Sequence, residues 1–228
     1  VVGFGVYGCA FGINVAHELI HRRARFSRIW GGLTLSLVCY GSFKVEHIHG
    51  HHRHVATPLD ASTAPKGRGF WSHLPRAVVG NFQTALRTDR RETLGWLVVS
   101  AVVALLIGTV WGAAGVGFFV LQSLMAISAM ELTNYVEHYG LERRRLPSGR
   151  YEPVRPRHSW STPVRFSNAL FFNVQRHAHH HARPGVTYER LRHITDSPTL
   201  PTGYPAMMLL AMVPPLWRRV VDPRLSPG

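Results

Sequence analysis

Residues 94–130 read "LGWLVVSAVVALLIGTVWGAAGVGFFVLQSLMAISAM", a run without a single charged side chain. One bilayer crossing takes about 20 apolar residues, and this run is long enough for two. "WGAAGVG" lies at its middle and supplies glycines for a tight turn, so the run divides into helices of about Leu94 to Val110 and Val116 to Met130. Outward from the hairpin both flanks are basic: Arg87, Arg90 and Arg91 precede it, and Arg143, Arg144 and Arg145 follow it. "VVGFGVYGCAFGINVA" (1–16) reads as the last part of another spanning helix, again followed by arginines at 22, 23, 25 and 28. Trp30 to Phe43 is apolar but short, and reads as re-entrant or interfacial. The chain opens inside apolar sequence, with no methionine and no basic n-region, which reads as a fragment lacking upstream transmembrane helices. By the positive-inside rule the basic segments are cytoplasmic and the "WGAAG" tip faces the other side.

The architecture this implies is all-α: an integral-membrane helical bundle carrying a cytoplasmic, helical, histidine-rich domain. It is one domain over 1–228, with transmembrane segments of about 1–16, 94–110 and 116–130 and cytoplasmic segments of about 17–93 and 131–228. A hydrophobic content of 46% in 228 residues excludes a disordered or fibrous class. The formal charge of +14 suits nucleic acid, anionic lipid or an acidic protein equally. The long uncharged run has no place in a nucleic-acid-binding domain, so nucleic acid is excluded as a partner. Cys9 and Cys39 lie in apolar stretches without C-x-x-C spacing and read as buried free thiols of a reducing compartment.

Histidine is the chemistry-bearing residue. "HELIH" sets His17 and His21 one helical turn apart on one face. "EHIHGHHRH" carries His47, His49, His51, His52 and His54, and "QRHAHHH" carries His177, His179, His180 and His181. At about 100° per residue, His177, His180 and His181 share an arc while His179 points nearly opposite. The same arithmetic groups His47, His51 and His54 and leaves His52 aside, unless Gly50 distorts the helix or a second metal collects from that side. Neutral imidazole suits zinc, copper, iron and nickel, and clusters without cysteine disfavour a structural zinc site. Eight or more ligands imply two ions. "HELIH" also fits the H-E-x-x-H zinc protease pattern, but that reading leaves the other two clusters idle. A metal transporter would place ligands inside spanning helices, and the hairpin helices contain no histidine.

Taken in order, "HELIHRR", "EHIHGHHRHVATPLDAS", "NYVEHYGLERR", "NVQRHAHHHA" and "LRHITDSPTLPTGYP" resemble the integral-membrane non-haem di-iron alkane 1-monooxygenases, the alkane omega-hydroxylases of the fatty-acid desaturase/hydroxylase superfamily. Membrane desaturases share the general histidine pattern but not "NYVEHYG" or "VATPxD", and the resemblance favours the alkane hydroxylases over fatty-acyl desaturase and xylene-monooxygenase-like relatives. The resemblance implies nine iron ligands: His17, His21, His47, His51, His52, His138, His177, His180 and His181. It selects His52 where the helical wheel favours His54. Carboxylates are the usual orienting partners of such ligands. Glu18, Glu46 and Glu137 adjoin ligands, and Asp60 and Asp196 lie in loop motifs; Glu137, Glu18 and Asp60 are the candidates for supporting roles in catalysis. The family further implies two non-haem irons as cofactor, dioxygen as co-substrate and an n-alkane substrate. Its electron donor is rubredoxin, reduced by an NAD(P)H-dependent reductase. Membrane lipids are the remaining partner, and the expected location is the bacterial inner (plasma) membrane with the active site on the cytoplasmic side.

Overall fold

The computed structural model describes residues 1–225 and is helical throughout, with no strand among the described residues. The chain forms two compact units: residues 1–50 with 78–130, and residues 51–77 with those from 131 onward.

In the first unit, α1 (Val2–Tyr7), a π-helical segment (Gly8–Ile13) and α2 (Asn14–Ile20) run on as one helical rod. The helix α3 (Arg25–Ser36) packs back on it. Glycine permits that approach, since a Cβ on Gly31 would stand 2.7 Å from Ile20 Cγ2 and 3.0 Å from the Ala16 carbonyl. Cys9, Ile13, Ala16, Ile20, Leu35 and Phe43 form the core. Cys9 is buried as its apolar setting suggests, whereas Cys39 is only half-buried; both are thiols, not disulfide-bonded. After α3 come α4 (Phe43–Glu46), a second π-helical segment (His47–His51) and α5 (His52–His54).

The helices α6 (Phe70–Thr88) and α7 (Arg90–His138) each run from one unit into the other. α7 is not straight. Gly112 takes φ 62° and ψ −158°, a conformation open to glycine. Beyond it the chain folds back, because a Cβ on Gly115 would lie 3.0 Å from Ile107 Cγ2. Residues that far apart in a continuous helix would be about 12 Å apart along the axis. Both arms reach the end of α3: Ser100 Oγ donates to the Ser36 carbonyl at 3.1 Å, and Gln122 Nε2 to the Leu37 carbonyl at 3.0 Å. In the most apolar 18-residue window of α7 only 6% is buried. A helix that turns apolar side chains outward along such a length has lipid as its solvent.

In the second unit the ends of α6 and α7 join α8 (Arg165–Leu170), α9 (His177–Ala182), α10 (Tyr204–Ala211) and α11 (Pro214–Val221), linked by ordered loops. The core is aromatic, with Tyr135, Tyr139, Trp160, Tyr204 and Trp217 all at or below 2% exposure. Their polar atoms bind the loops. Tyr139 Oη accepts from the Gly67 N–H and donates to Asp222 Oδ1, both at 2.8 Å, and the Trp160 indole donates to the Tyr139 carbonyl at 2.9 Å.

Candidate metal centre

In the second unit His51, His138, His177 and His181 converge, all buried, with one ring nitrogen of each within 4.8 Å of the others. α9 supplies His177 and His181 one turn apart, the end of α7 supplies His138, and His51 closes the π-helical segment. The Nε2 atoms run His51–His181 3.2 Å, His181–His177 2.8 Å and His177–His138 3.0 Å.

Hydrogen bonding alone cannot satisfy that chain. His51 Nδ1 donates to Asp60 Oδ2 at 3.0 Å and His138 Nδ1 donates to the His158 carbonyl at 3.3 Å. Both rings therefore present an Nε2 lone pair inward. If His181 and His177 answered them with N–H groups, those two groups would face one another at 2.8 Å. A cation bound by all four lone pairs removes the conflict. Ligand nitrogens at about 2.0–2.1 Å from one ion are separated by about 3.0–3.4 Å, close to the spacings found. Burial, then the neighbouring imidazoles led by His177, holds His181 well below the usual imidazole range, so it is a neutral donor.

The carboxylates differ in placement. Asp60 is 5% exposed and is itself fixed, accepting from Ser62 N–H at 3.1 Å and Thr63 Oγ1 at 2.6 Å, which gives "VATPLDAS" its local structure. Glu137 is fully buried, with Oε2 3.2 Å from His177 Nε2. Glu18 pairs with Arg22 one turn on at 2.7 Å, and Glu46 is buried at the end of α4. Asp196 is exposed.

The first unit holds its own group. His17 Nε2 and His47 Nε2 are 2.8 Å apart, the His17 and His21 rings 4.9 Å and the His21 and His47 rings 5.2 Å, while Phe43 stacks on His47. Back in the second unit, His52 and His180 pair through Nε2 atoms at 3.1 Å. His49 is exposed, and His54 and His179 are half-buried and in neither group. His179 Nδ1 accepts from the Arg192 N–H at 2.9 Å. The regular helical wheel at His47–His54 is corrected here: the segment is π-helical through His51, with a longer turn, so a count of 100° per residue misplaces His52 and His54. Gly50 marks the spot, since a Cβ there would meet Thr84 Cγ2 at 2.7 Å and Glu46 Oε1 at 2.9 Å.

Sequence reasoning leaves one support unidentified. The His158 carbonyl that orients His138 belongs to a ring pinned on both sides: Nδ1 accepts from the Arg155 N–H at 2.9 Å, so Nε2 carries the proton and faces Glu152 Oε1 at 3.3 Å. Glu152 also pairs with Arg157 and accepts from the Arg144 N–H at 3.0 Å, and these bonds lower its carboxyl to about 2. Glu152→Ala is expected to weaken the ion held by His138 by about tenfold, the lower end of the loss from removing an outer partner of a metal ligand. Glu152→Gln keeps an acceptor for His158 and should retain most of the affinity. Metal retained against a graded chelator reads both; equal retention in Glu152→Ala and the parent would show that the brace is idle. His73, by contrast, is a core residue, bonded to the Ser62 carbonyl at 3.3 Å and lowered to about 4 chiefly by burial.

The chain is 44% identical to alkane 1-monooxygenase 2 of Pseudomonas aeruginosa and 43% identical to alkane 1-monooxygenase 2 of Alcanivorax borkumensis, in each case along 99% of this chain and 63% of the relative. It is 27% identical to the xylene/toluene monooxygenase hydroxylase component of Pseudomonas putida, over 90% of this chain and 58% of the relative. The chain thus spans less than two thirds of the length of these relatives. The family model described as fatty acid desaturase matches residues 1–211, which takes in all three histidine clusters and both arms of α7. The chain belongs to the fatty acid desaturase family and, with it, among membrane proteins.

Proposed function

We propose that the chain forms the metal-binding part of an alkane 1-monooxygenase, which hydroxylates medium- and long-chain n-alkanes at the terminal carbon. The observation that carries this reading is the convergence of four buried imidazole nitrogens in a protein 43–44% identical to relatives of that name. The proposed donors to two irons are His51, His138, His177 and His181 in one unit, His17, His21 and His47 in the other, and His52 and His180. Iron bound there supplies the reductive activation of dioxygen that places one oxygen atom in a C–H bond.

This chain's residues hold and orient. Asp60 fixes the tautomer of His51 so that its lone pair faces inward, and the His158 carbonyl does the same for His138. Glu137 holds a carboxyl group beside His177 in a dry setting, where burial raises its pKa well above the usual carboxyl range, and Glu18 adjoins His17. An alkane offers no polar group, so selection of its terminal carbon falls to an apolar channel that admits it from the bilayer. Electrons come from rubredoxin and its NAD(P)H-dependent reductase. Rubredoxin is small and acidic, and the arginines flanking α7 give complementary charge for its approach. Those arginines also set the topology, with the site on the cytoplasmic side of the inner membrane.

The family's own description makes desaturation of a fatty-acyl chain the second reading. Iron content and oxygen uptake do not separate the two, but the product does. With full-length protein, reduced rubredoxin, a medium-chain alkane and isotopically labelled dioxygen, the expected product is a primary alcohol carrying one labelled oxygen. An alkene without label, or label at an internal carbon only, would overturn terminal hydroxylation while leaving the metal site intact.

A further inference from the structure

In the second unit, α10, the turn after it and the start of α11 carry exposed apolar residues. Leu209 is 69% exposed, and Met212, Val213 and Leu216 follow it at 40%, 46% and 49%. Leu209 lies on α10, Leu216 on α11, and Met212 and Val213 in the turn that joins them. The inward side is occupied, because Met207, Ala211, Trp217 and Val221 are buried in the aromatic core. A helix on the surface of a water-soluble domain turns polar residues outward; α10, YPAMMLLA, has none to turn. Trp71 extends this apolar surface: it is 54% exposed, and its indole donates to the Met212 carbonyl at 2.9 Å.

Charge borders this surface on one side. Arg218 and Arg219 follow Trp217 directly, Arg218 donates to the Gly67 carbonyl at 3.1 Å, and the exposed Lys66 lies beside that glycine. From Ser197 to Val221 the sequence has no acidic residue. An apolar face edged by tryptophan and by cations is the composition of a helix lying in the plane of a membrane interface. The chain enters this unit from α7 at Glu131.

We propose that α10, α11 and Trp71 rest on an anionic lipid surface. Leu209, Met212, Val213 and Leu216 enter the acyl boundary, and Arg218, Arg219 and Lys66 meet the phosphates. The proposal rests on the chain being a membrane protein and adds a second, in-plane attachment that the basic cytoplasmic reading of residues 131–228 does not include.

The test uses the full-length protein in lipid nanodiscs, with Cys9 and Cys39 changed to serine and a nitroxide on Leu209→Cys or Leu216→Cys. Retained iron confirms that each variant is folded. In discs of phosphatidylcholine with phosphatidylglycerol, the nitroxides are expected to collide several-fold more with oxygen, which concentrates in lipid, than with a water-soluble nickel chelate. Arg218→Gln with Arg219→Gln should lower that ratio in phosphatidylglycerol discs and leave it unchanged in phosphatidylcholine alone. A nitroxide open to the chelate would place these residues in water, and one shielded from both reagents would place them under protein; either result overturns the proposal. Loss of the whole protein from membranes on alkaline extraction would instead defeat the membrane reading beneath it.

Discussion

Full-length His181→Ala protein is expected to lose the ion shared with His51, His138 and His177, taking iron from about two per chain to about one, since donors in this number call for two ions. Turnover should fall by more than the about 10–100-fold that loss of a mere outer partner brings, because a buried lone pair is removed from the ion itself. His179→Ala, two residues away on the same short helix, should keep iron and turnover, since His179 is occupied by the Arg192 N–H and lies outside both groups. Elemental analysis and product formation on the same preparations decide the matter. Equal damage from the two changes, or a full complement of iron in His181→Ala, would reject the assignment of faces on α9. One zinc per chain in the parent would return the H-E-x-x-H protease reading to contention.

His52 and His54 offer the second large contrast. His52→Ala should abolish turnover, since His52 is the partner of His180 at 3.1 Å. His54→Ala should be milder, since His54 is half-buried and joins neither histidine group. The reverse order would mean that the regular helical count describes this segment after all, and that the π-helical turn ahead of it does not set the side-chain directions.

The all-helical class was legible from one feature, the uncharged run long enough to cross a bilayer twice. The reversal at Gly112 falls inside the "WGAAGVG" stretch because a helix hairpin needs one residue free of Cβ strain there. α9 was equally readable, since a regular helix carries positions 177, 180 and 181 to one side. The second cluster defeats the same rule for a local reason: Gly50 in "EHIHGHHRH" hints at a distortion, but neither the extra residue in the turn nor the close approach of Thr84, far along the chain, can be read from the stretch itself. Glu152 was invisible for a related reason. Its effect on His138 passes through a ring and a carbonyl at His158, and no spacing rule links residues joined only by the folding of a proline-rich loop.

His51 and His52 are adjacent in the chain, and so are His180 and His181, yet the contacts cross: His51 meets His181 at 3.2 Å while His52 meets His180 at 3.1 Å. Each pair of neighbours thus serves two different donor sets, and the offset between the sets is gauged by a single peptide unit, about 3.8 Å from Cα to Cα. A side chain can swing, but that ruler does not stretch. The centre therefore tolerates drift in the sequence around it far better than a change of length within it. One residue inserted between 51 and 52, or between 180 and 181, would put every later donor out of step, however conservative its side chain.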